Sequence, residues 1–318
     1  MGYYARNRVT RLWSQPRFRM QPEFTNHCNF KCRLCPHSTY RKPSAGGNRF
    51  DREKGYMSNE VFDLFLANAE KYATTVLIGF FGEQLLHPKF EEFVRVFPKR
   101  KPYELVLFSN WSLVTRKNME TLKLFDNVRI SIDASNSDLW EQLCPSGAVL
   151  DLDGAPGKNR YETLVEKIEY WLGLPDHPLT RLKYVVSSVN EGDREVFLKE
   201  WLPKMGPNDG VAMKSVISYG GVMRDSYMQE NPCTVYNEYR MTVAWNGDCS
   251  PCNLDVNMDL CVGNLIETRD IGKMVKQDRY KQVRDGMRRK AGICANCFDA
   301  NNHTESMEYP GEKSLSQG

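Results

Sequence analysis

Cys28, Cys32 and Cys35 stand in the run Asn26-His27-Cys28-Asn29-Phe30-Lys31-Cys32-Arg33-Leu34-Cys35-Pro36, a C-x3-C-x2-C spacing that puts three thiols on one short loop. Soft thiolates suit iron–sulfur centres, and three of them can hold three irons of a [4Fe–4S] cluster. No fourth cysteine lies nearby, which leaves the fourth iron open to a small molecule. The alternative is zinc, which takes four ligands, commonly as two C-x2-C-type pairs. Unequal spacing without a fourth partner fits zinc poorly.

Around this loop the hydrophobic pattern alternates between strand and helix. Strands are expected over Arg19–Phe24, Thr74–Phe80, Glu104–Phe108, Val128–Ile132, Leu182–Val189 and Val211–Ser218. Helices are expected over Ser58–Tyr72, Pro88–Val96, Lys117–Leu124, Tyr161–Trp171 and Arg194–Trp201. Ser58 is placed as the first N-cap, with Val61, Phe62, Phe65 and Ala69 on one face, and Pro88 in the first turn of its helix. Repeated β-then-α order argues an α/β fold with a parallel sheet and right-handed crossovers. Residues 222–318 break the rhythm and carry six more cysteines, so 1–221 reads as the core and 222–318 as a small metal-bearing domain.

With 318 residues the chain is long enough for both units, and its net charge of +3 gives no electrostatic case for nucleic acid. Its longest apolar run, Val76 to Phe81, is far short of the ~20 residues of a membrane span. Met1 leads into polar and aromatic residues, without the apolar stretch of a signal peptide. A cytoplasmic protein is expected, in which ten cysteines serve as ligands or reactive thiols instead of disulfides.

The cysteine spacing resembles that of the radical S-adenosylmethionine (SAM) superfamily. Membership implies a partial (β/α)6 TIM-like barrel and an open iron that chelates SAM. It also implies that reduction releases a 5′-deoxyadenosyl radical. Phe81-Gly82-Glu83-Gln84, at the end of the second strand, is similar to the family's Gly-Gly-Glu-Pro segment, with Phe81 and Gln84 as departures. The resemblance makes Gly82 and Glu83 contacts to the amino group of SAM. It gives Ser109, Asn110, Ser131 and Asp133 to its carboxylate and ribose, and Val189 with Asn190 to its adenine. A turn glycine and ordinary helix caps are the plainer readings of the same residues.

Cys233, Gly247, Cys252, Cys294 and Cys297 resemble the twitch region, the short form of the SPASM domain, which binds one auxiliary [4Fe–4S] cluster. Gly247 is then the tight turn of a β-hairpin, entered through Val243 and Trp245. A zinc ribbon on Cys249, Cys252, Cys294 and Cys297 is the rival, and it strands Cys233. The twitch assignment leaves Cys144, Cys249 and Cys261 without a ligand role. Each is by default a small buried hydrophobe. Cys249, three residues from a ligand, is singled out as a hydrogen-atom donor, with Cys144 as second choice and Cys261 as structural.

At the level of families the chain is most similar to the radical SAM epimerases of neomycin-type aminoglycosides. That resemblance implies two [4Fe–4S] clusters, SAM, an amino-sugar substrate, an electron donor such as flavodoxin or ferredoxin, and inversion at a C–H carbon. The alternatives are a radical dehydrogenase of an aminocyclitol or sugar alcohol, and a peptide-modifying enzyme. A polycationic substrate needs carboxylates, for which Asp255 and Asp259 are the candidates, with Asp151, Asp153, Asp299 and Glu305 as further acids. Solvated loop positions are the commoner fate of such residues.

Overall fold

The protein was examined as a computed structural model, which describes residues 16–37, 50–228, 233, 235–297 and 307–311. Six strands, β1 (Phe18–Pro22), β2 (Ala73–Ile78), β3 (Glu104–Ser109), β4 (Asn127–Ser131), β5 (Leu179–Val186) and β6 (Gly210–Ser215), pair in parallel, each with the next. Helices α1 (Asn59–Tyr72), α2 (Phe90–Val96), α3 (Arg116–Leu122), α4 (Ser137–Leu143), α5 (Arg160–Leu172) and α6 (Arg194–Trp201) lie in the connections. Consecutive parallel pairing with one-handed crossovers keeps the helices on one face and curls the sheet into a partial barrel.

The pleat explains what each face carries. On β1, Phe18 and Met20 are fully buried toward the helices, and Phe24 beyond them stacks edge-on against Phe62 of α1 and Phe93 of α2. Arg19 and Gln21 point the other way, into the barrel. Ser58 caps α1 through its side chain, which accepts from Val61 N at 3.2 Å, and Val61, Phe62, Phe65 and Ala69 are all buried. That is the face the helical period predicts.

The sheet continues past the six core strands on both sides. β7 (Arg240–Val243) joins β1 in parallel, followed by antiparallel β8 (Asp248–Ser250) and β9 (Gly263–Asn264). At the other edge β10 (Met307–Pro310) runs antiparallel to β6, giving the order β10-β6-β5-β4-β3-β2-β1-β7-β8-β9. Short helices α7 (Leu265–Thr268) and α8 (Ile271–Met274) and the longer α9 (Asp278–Arg288) complete the C-terminal part.

Several boundaries shift by one to three residues from the sequence reading, and α4 has no counterpart in it; three differences bear on the site. Pro88 precedes α2 instead of entering its first turn, because the N-cap is Lys89. β5 ends at Val186, not Val189, since the Asn190 side chain accepts from Ser187 N at 2.7 Å and turns the chain there. Trp245 lies in the hairpin turn and not on its incoming strand; Gly247 does sit at that turn, with φ of 90° and its N–H donating to Ala244 O.

Replacing Ser58 with alanine removes the α1 cap and is expected to cost about 1 kcal/mol. A urea unfolding midpoint lowered at unchanged m-value is the measurement that checks it.

Candidate functional site

The cysteine loop follows β1 and is gripped from two sides. On one side the chain after β2 lies against it at van der Waals limits. A Cβ on Gly82, whose φ is 89°, would stand 2.6 Å from both the Thr25 and His27 carbonyl oxygens, so only glycine fits. Glu83 N donates to His27 O at 2.8 Å. Gln84, where the family motif has proline, is fully buried: its Oε1 accepts from Phe24 N at 2.7 Å and Thr25 N at 3.3 Å, and its Nε2 donates to the Thr25 and Phe81 carbonyls at 3.1 Å. The departure therefore replaces a proline with a side-chain amide that ties two loops together.

On the other side stands the chain after β3. Asn110 Nδ2 donates to Asn29 Oδ1 at 3.0 Å, and Asn29 Nδ2 donates to Ser112 Oγ at 2.9 Å. That segment bends through Trp111, at φ of 62°, and its carbonyls at Trp111, Ser112 and Val114 converge on the buried Lys167 ammonium at 2.8, 2.9 and 3.1 Å. Burial pushes Lys167 down to about 7, against the pull of Asp151 and Glu83. No feature of the sequence pattern marks Lys167, which reads there as one helical lysine among many.

Glu83, Ser109 and Asn110, chosen from sequence on separate strands, come together. The buried Glu83 carboxylate accepts from Ser109 Oγ at 3.1 Å, Asn110 N at 2.7 Å and Leu85 N at 3.2 Å. Burial raises it to about 7 despite these donors and the Lys167 charge. Asp133 is raised by burial to about 6 and accepts from Val185 N at 2.7 Å. Ser131 is exposed at the end of β4, in register with Lys183. Val189 is exposed beyond β5, away from the strand end the sequence reading gave it, while Asn190 is buried and donates to the Asp133 and Val185 carbonyls.

Cys28, Cys32 and Cys35 are half-buried on their loop. Burial raises Cys28, helped by Cys32 and Glu83, and burial raises Cys35 to about 12. No three His, Cys, Asp or Glu side chains among the described residues converge on a single-ion position. A cuboidal cluster asks for something else, one thiolate on each of three irons. Desolvated thiols lose their protons only to a strong local positive charge, which an iron core supplies; the donor set fits a [4Fe–4S] cluster.

In the C-terminal part, Cys252 is buried and raised by burial, with Cys297 and Cys233 adding to the shift. Cys294 is raised by burial to about 11, again with Cys233 beside it. Cys233, Cys252, Cys294 and Cys297 thus form one electrostatic group, and the same argument fits them to a cluster. Cys249 falls outside it. Its thiol is fully buried, 3.5 Å from Gly247 O, and it feels Cys261 and Asp248, not the four-cysteine group. Register pairs Cys249 with Val243, on the face that Pro22 and Met20 share, whereas Ser250 pairs with Thr242 and Gln21 on the barrel side.

The two acids chosen for a substrate separate. Asp255 is a correction: it is fully buried, accepting from Ser250 Oγ, Asp259 N and Leu260 N, each at 2.8 Å, so it organises its own loop and offers no free oxygen. Asp259 is exposed. Asp151 closes an Asx turn onto Asp153 N and Ala155 N, and Asp153 pairs with Arg116. Asp299 and Glu305 lie outside the described residues. No helix among the described residues is long and apolar enough to cross a membrane.

Gly82→Ala is expected to displace the cysteine loop and lower iron and sulfide content by one cluster, while Cys233→Ala removes the other and Cys249→Ala removes neither. Iron and acid-labile sulfide per chain after anaerobic reconstitution decide this.

Residues 23–198 match the radical SAM superfamily, and residues 233–298 match SPASM, an iron–sulfur cluster-binding domain. Among solved structures, the chain is similar to BtrN in complex with AdoMet and 2-DOIA, with 17% identity, a TM-score of 0.55, and coverage of 92% of this chain and 97% of that one. It is also similar to Streptococcus suis SuiB bound to S-adenosylmethionine (12% identity, TM-score 0.63, 90% and 73% coverage). The AdoMet-bound anSMEcpe structure matches at 14% identity and a TM-score of 0.59, over 84% of this chain and 82% of that one. A comparison with curated protein sequences gave no match.

Proposed function

This chain belongs to the radical SAM superfamily, and we propose that it is an epimerase that inverts one C–H carbon of an amino sugar or aminoglycoside. Its SPASM domain makes it a two-cluster, SAM-dependent enzyme. We take residues 1–221 as the catalytic core and 222–318 as the auxiliary domain. Cys28, Cys32 and Cys35 hold the SAM-binding cluster, and Cys233, Cys252, Cys294 and Cys297 the auxiliary one. Gly82, Glu83, Ser109, Asn110, Ser131 and Asp133 surround SAM.

When bound, SAM on its reduced cluster supplies a 5′-deoxyadenosyl radical that removes a hydrogen atom from an unactivated C–H bond. What this chain does next is decided by its thiols. The observation that carries the reading is Cys249, a buried thiol left over once the four-cysteine group is complete and three residues from one of its members. Burial keeps the thiol protonated, as a hydrogen-atom donor must be. Donation to the opposite face of the substrate carbon inverts it and leaves a thiyl on Cys249. One electron, from a carrier of flavodoxin or ferredoxin type, and one proton from solvent restore the thiol.

Delivery requires β8 to turn its Cys249 face toward the barrel mouth while β7 stays paired with β1 over Arg240–Val243. β8 has three residues and β9 two, so few ladder bonds oppose that movement. Exposed Asp51, Glu53 and Asp259 lie on segments joined by the Asp51 N to Asn257 Oδ1 hydrogen bond and supply negative charge for a cationic substrate. A dehydrogenase is the second reading, favoured by the packing of Cys249 away from the barrel side. It removes a second electron and a proton from the substrate and leaves Cys249 idle.

Turnover in D2O with an aminoglycoside panel separates the two. The epimerase yields an isomer of the substrate carrying one deuterium, and Cys249→Ser consumes SAM yet forms no isomer. A product lighter by two hydrogens, formed equally by Cys249→Ser, establishes the dehydrogenase instead.

A further inference from the structure

Cys144 takes no part in either reading of the reaction, yet its Sγ lies 3.4 Å from the Sγ of Cys32. The contact is built, not incidental. Cys144 ends α4, with its N–H donating to Trp140 O at 2.7 Å, and it is 6% exposed. One residue earlier, Leu143 O accepts from Arg33 N of the cysteine loop at 2.8 Å. Three residues later, Gly147 comes so near the loop that a Cβ would stand 2.3 Å from Asn29 O and from the Phe30 ring. Arg160 clamps this turn from outside, donating to Gly147 O at 2.9 Å and Cys144 O at 2.5 Å while its Nε meets Glu141 at 3.0 Å. Phe30 and Trp140 close the back of the joint edge to face, with centroids 5.7 Å apart.

Of the two sulfurs, only one can keep a proton when iron is bound. Cys32 gives its proton up to become a ligand, so the hydrogen between them belongs to Cys144. Hydrogen bonds to ligand sulfurs spread the negative charge of a reduced cluster and are among the levers that set its potential. We propose that Cys144 donates an S–H···S hydrogen bond to Cys32 and thereby raises the reduction potential of the SAM-binding cluster. Cys144 is on this account a positioning and tuning residue that acts through Cys32.

The test is an EPR-monitored redox titration of the reconstituted holoenzyme and of Cys144→Ala, Cys144→Val and Cys144→Ser. The SAM-binding cluster is recognised as the one whose signal changes when SAM is added. Both apolar variants are expected to titrate at lower potential than the parent, whatever their size, while serine, which keeps a donor, stays nearer to it. Potentials that follow side-chain volume, or that do not move at all, overturn the proposal and return Cys144 to packing. Should one apolar variant fail to hold its cluster, the other compared with serine gives the same decision.

Discussion

Everything at the mouth of this barrel depends on backbone meeting backbone where the chain after β2 crosses the cysteine loop. Gly82 removes the only atom that would keep the two segments apart, and the Gln84 amide then answers three backbone groups across the gap and one in its own segment. Each of those groups, buried and unanswered, would cost about 1–3 kcal/mol. The contact therefore fixes the cysteine loop and the Glu83 carboxylate relative to one another. The loop after β3 adds a second support, held in its left-handed bend by the Lys167 ammonium. Two loops and one buried cation thus give rigidity to a segment with no regular structure of its own.

Much of this was legible in the sequence. The six parallel strands, five of the six helices between them (α4 excepted) and the capped face of α1 rest on periodicity, and the proposed ligand cysteines on spacing, which are local signals. What stayed hidden was mostly non-local. The join of β7 to β1 links residues more than two hundred positions apart through a four-residue strand. Lys167 and Gln84 matter through carbonyls and amides that no side-chain pattern reveals. Val189 was placed at a strand end because Leu182–Val189 is rich in β-formers, but the Asn190 amide competes for the backbone and ends β5 three residues earlier. Asp255 looked available because acids usually are; its three donors come from the turn it closes.

The thiols divide by surroundings more than by sequence neighbours. Cys249 and Cys252 are three residues apart, yet the alternation of β8 and the turn after it put them in different company, one with Cys261, the other with Cys233 and Cys297. Cys32 and Cys144 are far apart in the chain and meet sulfur to sulfur. A C-x2-C pair read as a unit would have placed Cys249 among the ligands.

The two flanking additions to the sheet, β7 beside β1 and β10 beside β6, also bear on how the chain is made. During synthesis the six parallel strands leave the ribosome with both outer edges bare. The strands that cover them come later, one at Arg240–Val243 and the other at Met307–Pro310. Bare edges of a slowly forming parallel sheet are templates for unwanted pairing. Once the later strands pair, β10 and β9 become the outer strands, of four and two residues, and so short an edge offers few unpaired backbone groups to a stranger.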